Sequence, residues 1–526
     1  MIDFDTICDF IKERCEDEAA ALHDEAGDEL WHDSADDSDD SGDLAFEGDH
    51  LSELKRMRAK VNWENEKERK KFFRQLYRLA RDWRGQLPNL KEYFRAEEMD
   101  WLLAESVKYN VCNILEPDQF IEFAIKTGYR DEPELDEAGK PLLRRTTALH
   151  CAARCIFSDT VHDLFKIYAS AEANYLDEAD GLTHFHVACK FDCCDVVERF
   201  LESGQDPDCA ASFAHPPLHL ALASDNRRVV RLLLENGADP NLADVEGSTP
   251  LHVVCARSGD GTGCGDLAEL FLEINEDIMG QPVLVDARDK SGRTPLQLAV
   301  ANLRPEVIEI LLDRGEADLA AFRFPTERQF AERKKPSDYK LFGFKLALAA
   351  AALNVVELLE QRGYKLQRND ALTVMKFFAR FKLFEKPAAV DQDKRNWYDD
   401  KHFAVQSKRL MVGTSSSLRD LIHLGRLDHE TRTTTKTAKQ LPTFADYSRL
   451  ARSNEFWTLP KESGQACTAH LCEIMSRRFF RRWTLEFFLE LTRQKLPILC
   501  CEKIIEQLTS EDSLSICLAA TGQNLK

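Results

Sequence analysis

Residues 229–254 read VVRLLLENGADPNLADVEGSTPLHVV. VVRLLLEN is an apolar stretch at helical spacing, and Gly237 ends it with a backbone angle that only glycine adopts cheaply. Thr249-Pro250 then opens another helix. Threonine caps a first turn, and proline fits the first helical position, where its missing N–H costs nothing. A helix pair of this size cannot bury its apolar face alone, so such units must stack on copies of themselves.

The copies are present. TALHCAA at 147, THFHVAC at 183, PPLHLAL at 216, TPLHVVC at 249 and TPLQLAV at 294 start 36, 33, 33 and 45 residues apart. Each precedes a second apolar stretch, and three lead into glycine turns at Gly204, Gly237 and Gly315. FKLALAAAALNVVELLEQRG, residues 344–363, is a worn sixth copy. TPLH followed by GADPN-type turns at a period near 33 resembles the ankyrin repeat, over roughly residues 146–365. The resemblance implies an all-α solenoid of helix–turn–helix repeats with hairpin loops, followed by a small C-terminal helical domain. It assigns stacking roles to Thr147, His150, Thr183, His186, His219, Thr249, His252 and Thr294, with the three turn glycines. The recurrent histidines join neighbouring units through backbone groups. They sit on successive layers and cannot converge on one metal ion. Recognition by such stacks lies in hairpin tips and the concave helix face, here including Asp206, Asp208, Asp244, Glu246, Asp289 and Lys290. Insertions at 258–266 and 322–340 are expected as loops, often on the binding face.

The formal charge of −21 is uneven: residues 16–50 hold fifteen Asp and Glu and no Lys or Arg. The remainder is mildly acidic, which disfavours nucleic acid as the main partner. Residues 1–63 are read as an acidic, largely disordered region, with Ser34 placed for an acid-directed kinase. Residues 64–145 form a helical region capping the repeats. Its basic run Lys67–Lys71 is a solvated helix face or an import signal. The repeats occupy 146–386, a linker 387–417, and the C-terminal helical domain 418–526.

LALAAAAL, 346–353, is too short to cross a bilayer, so no membrane association is expected. Sixteen cysteines without a secretory leader suit a reducing cytoplasm, with nuclear entry open. Cys193-Cys194, Cys500-Cys501 and CTAHLC at 467–472 lack metal-ligand spacing. SGDGTGCGD, 258–266, lacks the lysine and third glycine of a phosphate loop. No cofactor, metal or catalytic constellation is expected, and the chain is read as a non-enzyme.

The chain closes with LPILCCEKIIEQLTSEDSLSICLAA, residues 496–520. Ile498, Cys501, Ile504, Ile505 and Leu508 form an apolar helix face. Thr509 and Asp512 make a capping box for a second helix. Leu496, Pro497, Ile504, Ile505, Leu508 and Leu514 resemble the first half of an F-box. The acidic residue after Leu-Pro and the final Trp-bearing helix are missing, and Leu514 comes one residue late. Ankyrin repeats ending in a short F-box-like tail resemble the PRANC proteins of poxviruses and parasitoid wasps. That resemblance implies an adaptor: the repeats hold a target protein, and the tail docks a Skp-type adaptor of a cullin ubiquitin ligase. The alternative is a stoichiometric inhibitor or scaffold, resembling inhibitors of Rel-type transcription factors, without ligase recruitment.

Overall fold

Capping chemistry sets where the helices begin. Thr183 and Thr294 each accept a hydrogen bond from the backbone N–H three residues on, while that residue's side chain bonds back to the cap. Proline stands at the first turn of the helices at 217, 295 and 305. The computed structural model describes residues 50–522, apart from 113–118, 156–157, 210–214, 258–263, 279, 333, 335–341, 386–396, 414–415 and 425–441. The acidic segment 16–49, the insertion 258–263 and Ser34 therefore lie outside the described residues.

One unit spans residues 1–250 and 274–281. It opens with α1 (His50–Lys60), α2 (Glu66–Arg81), α3 (Ala96–Cys112) and α4 (Gln119–Lys126). Repeat pairs follow: α5 (Ala148–Cys155) with α6 (Ser158–Ile167), α7 (His184–Lys190) with α8 (Cys194–Glu202), and α9 (Pro217–Ala223) with α10 (Arg227–Glu235). α1 falls inside the region expected to be disordered. The acidic run stops at Asp49, and Leu54 and Met57, one turn apart, are buried. In the later pairs, the turn between helices holds one non-glycine residue in the left-handed region, Asp192 (φ 56°) and Asp225 (φ 63°).

The other unit spans residues 251–273 and 282–526. It holds most of α11 (Pro250–Ala256), then α12 (Cys264–Glu273), α13 (Pro295–Ala301) and α14 (Pro305–Asp313). Next comes α15 (Phe342–Gln361), a single helix where a sixth helix–turn–helix was expected. By length and composition α15 could cross a membrane, which the eight-residue window did not suggest. Two-thirds of it is buried against other helices. α16 (Arg368–Arg380) follows. Residues expected as linker instead carry α17 (Lys401–Arg409), with Phe403 fully buried, and a two-residue β1–β2 ribbon, Met411–Val412 against Ser416–Ser417. α18 (Leu418–Leu424), α19 (Phe444–Arg452), α20 (Asn454–Trp457), α21 (Lys461–Leu491), α22 (Ile498–Glu506) and α23 (Ser510–Thr521) complete the chain.

α15, α19 and α21 share one core with no boundary between repeat and C-terminal helices. Two glycines let the backbones approach. A Cβ at Gly343 would stand 2.7 Å from the Trp457 ring, and one at Gly464 would stand 2.8 Å from the Phe342 ring. Phe342, Phe456 and Trp457 pack edge-on and tilted in that gap.

Candidate protein-interaction surfaces

The hairpin tips share a signal that the TPLH reading overlooks: Asp-x-x-Gly at 136–139, 244–247 and 289–292. In each, the glycine is left-handed, at φ 75°, 75° and 74°. Its N–H donates to the Asp carbonyl, at 2.9, 2.9 and 2.8 Å. The Asp carboxylate accepts from the backbone beyond the turn: Lys140 N, Ser248 N and Arg293 N, each at 2.8 Å. The first hairpin therefore lies at 131–145, inside the region read as cap. Its two sides carry Leu135 and Leu142, 61% and 52% exposed.

This chemistry corrects the list of recognition residues. The Asp244 and Asp289 carboxylates face into their own turns, and Asp208 accepts from Asp239 N at 3.0–3.1 Å. Asp206, Glu246 and Lys290 remain exposed, joined by Val245 and Leu284. The insertion after α14 also differs from a free loop. Phe322, Phe324 and Phe330 are buried, and Ala331 N donates to Ala301 O at 2.8 Å.

The four recurrent histidines are all buried. The Nε2 atoms of His219 and His252 bond Ser248 O (2.8 Å) and Arg293 O (3.0 Å), at the base of the following hairpin. His150 and His186 keep Nδ1 on the amides of Thr147 and Thr183, at 3.1 and 3.3 Å. Burial depresses both imidazoles to about 4. His184 replaces the usual proline, and its Nε2 bonds the Thr147 hydroxyl of the preceding repeat at 2.8 Å. Thr249 is buried. Gly204 (φ 88°) and Gly237 (φ 92°) are left-handed, whereas at the third turn that conformation falls on Glu316 (φ 54°). Gly315 meets a different demand: a Cβ there would lie 3.0 Å from Leu311 O and 3.2 Å from Val285.

The helices before the repeats are tied to the first repeat by a buried charge network. Arg145 pairs with Asp100 at 2.9 Å and Asp131 at 2.6 Å, and its guanidinium lies 4.3 Å from the Tyr175 ring centre. Tyr168 and Tyr175 donate to Asp100 and Asp131, at 2.5 and 2.6 Å. Burial outweighs Arg145 and raises the Asp100 carboxyl to about 7.

At the C-terminus, Cys501, Ile505, Leu514 and Cys517 are buried in the packing of α22 and α23 with α21. The Thr509–Asp512 capping box is formed. Arg481 donates to Glu506 O at 2.6 Å and holds α22 down. The other side of α22 and the residue before its cap are bare: Leu496 is 38% exposed, Ile498 54%, Leu499 72% and Ile504 42%. Ile498 and Ile504 therefore leave the face on which spacing had grouped them with Cys501. Of the F-box-like residues, Leu496, Pro497 and Ile504 face solvent, Leu508 is half-buried, and Ile505 and Leu514 are internal. Among the described residues no three His, Cys, Asp or Glu side chains are grouped to hold a metal.

A family model for ankyrin repeats in three copies matches residues 149–244 and again 218–322. No curated protein matches the chain. Residues 149–322 are ankyrin repeats, and modules of this kind bind other proteins.

Proposed function

We propose that this ankyrin-repeat chain is an adaptor that holds a target protein on its repeats and presents it to a cullin ubiquitin ligase. The C-terminal hairpin is the ligase-facing end, docking a Skp-type adaptor, in the cytoplasm. One observation carries this reading: Ile498, Leu499 and Ile504 stand exposed on a helix whose other side is fixed in the core, with Leu496 exposed just before it. A helix that only sealed the domain would turn its largest apolar side chains inward. The repeats supply the second surface, with Leu135, Leu142 and Val245 at their tips.

Burying the exposed two-fifths of Leu496 and Ile504 against a partner is worth roughly 0.6–1.2 kcal/mol each. Replacing both with alanine should weaken Skp binding by roughly ten- to fiftyfold. Because both side chains are already about three-fifths covered in the free chain, the melting temperature should fall by a few degrees while the transition stays cooperative. Weakened binding with a retained cooperative melt is the expected result. A folded wild type that does not bind a Skp–cullin complex overturns the adaptor reading and favours the inhibitor or scaffold.

A further inference from the structure

Helix α2 turns a row of cations to solvent. Lys67, Lys71, Arg74, Arg78 and Arg81 are all exposed and recur at spacings of four and three residues. At 3.6 residues per turn they fall within a sector of about 80° and form a row about 21 Å long. Buried Leu76 marks the opposite side of the helix. Arg81 has Asp82 at 3.5 Å. Lys67, Lys71, Arg74 and Arg78 make no ion pair among the described residues. The acids of α2 are engaged off the row, Glu66 with Lys70 at 3.0 Å and Glu68 with Asn62 N at 3.0 Å. Four unneutralised cations in line stand out in a chain of formal charge −21.

The preceding chain joins beside this row. His50, the first residue of α1, has its Nδ1 3.1 Å from both the carbonyl oxygen and the amide nitrogen of Arg84. Its ring lies 5.6 Å from that of Trp83. The segment before His50 therefore leaves from the Arg81 end of the row. Residues 33–49 lie outside the described residues, and their sequence holds eight Asp and Glu with no Lys or Arg.

We propose that residues 33–49 of this same chain are the partner of the row, an acidic strap running along α2 from Arg81 towards Lys67. Length permits it: about seven extended residues span the row, and seventeen reach roughly 56 Å from His50. Direct attachment gives the strap a local concentration on the order of mM. Exposed pairs are individually weak and screened by salt, so the strap is reversible. It excludes other polyanions from the row. Ser34, Ser38 and Ser41 lie among its acids, and each phosphate would add about −1.5 to −2 charge and tighten it.

The test uses the full chain. A carbodiimide joins carboxylates directly to lysine amines. Isotopically light and heavy chains are mixed, so bonds within a chain are distinguished from bonds between chains. Lys67 and Lys71 should cross-link to Asp and Glu of 33–49 within one chain. The yield should fall about tenfold in roughly 0.5 M salt, and by a similar factor in R74E/R78E, which keeps both lysines. An unchanged yield in R74E/R78E overturns the proposal. Cross-links found only between chains also overturn it and make the row an interface between copies. A second readout is heparin affinity. It should rise about tenfold in D33N/D36N/D37N/D39N/D40N/D43N and fall back when R74E/R78E is added. Heparin affinity unmoved by the six neutralisations counts against the strap. A melting curve on each variant controls for folding.

Discussion

LALASDNRRVVRLLLENG, residues 220–237, and LALAAAALNVVELLEQRG, residues 346–363, share an apolar pattern and end on glycines with φ 92° and 94°. The first folds into two helices, α9 and α10. The second is one helix, the greater part of α15. Of the positions at which they differ, three fall in the turn. Ser224-Asp225-Asn226 stand where the sixth copy has Ala350-Ala351-Ala352. Asp225 takes the left-handed conformation that stops α9, and Asn226 donates to the carbonyls of Cys189 and Lys190, both at 2.8 Å. Alanine is the best helix former and has no side chain to bond a turn. Hydrophobic periodicity thus sets which faces are buried, and turn chemistry decides whether the chain reverses.

The largest test of this comparison is acid. At the register of His219 the sixth copy has Lys345, whose Nζ donates to Lys382 O at 3.1 Å. His150 and His186 are held near 4, against 6.5 unfolded. Below about 6.5 the unfolded chain binds protons that the native repeats refuse until about 4. Stability therefore falls across that window by about 3 kcal/mol per imidazole. Asp100, raised to about 7 on the helix packed against α5, works in the opposite sense there, so hydrogen exchange should show α7 losing protection before α15 as pH drops. Simultaneous loss would dissolve the contrast.

A smaller effect comes from transplanting the turn. Ala350 and Ala352 are fully buried, so A350S/A351D/A352N buries polar groups among α19 and α21 without partners. The expected cost is about 4 kcal/mol, read by urea denaturation. A variant as stable as wild type would mean that the helix reopened into a turn. The smallest effect is at the third repeat. D225A should cost about 1 kcal/mol through its left-handed backbone, and D225G should stay within about 0.5 kcal/mol of wild type.

Much of the solenoid was legible because its signals are local: caps, turn glycines and apolar stretches recur within each repeat. The sixth copy misled because its pattern survives while its turn is gone. The Asp-x-x-Gly tips were equally local, and aligning residues 136, 244 and 289 would have found them. That alignment would also have placed Asp244 and Asp289 as turn residues rather than recognition residues. The Asp100–Arg145–Asp131 network has no period and joins Arg145 to residues 45 and 14 positions before it, on elements the pattern does not describe. At α22 the spacing specifies a helix. Apolar residues occupy more than one side of it, so sequence alone could not choose which side faces α21.

The fused helix α15 also has a consequence during synthesis. It leaves the ribosome as twenty residues apolar enough to be taken for a membrane anchor. α21, one of the helices that cover it, begins roughly a hundred residues later. At ordinary translation rates that is on the order of 5–20 s. Through that interval the side of α15 that Lys461–Leu491 covers is left open, and only the helices made earlier, such as α14, can shield it.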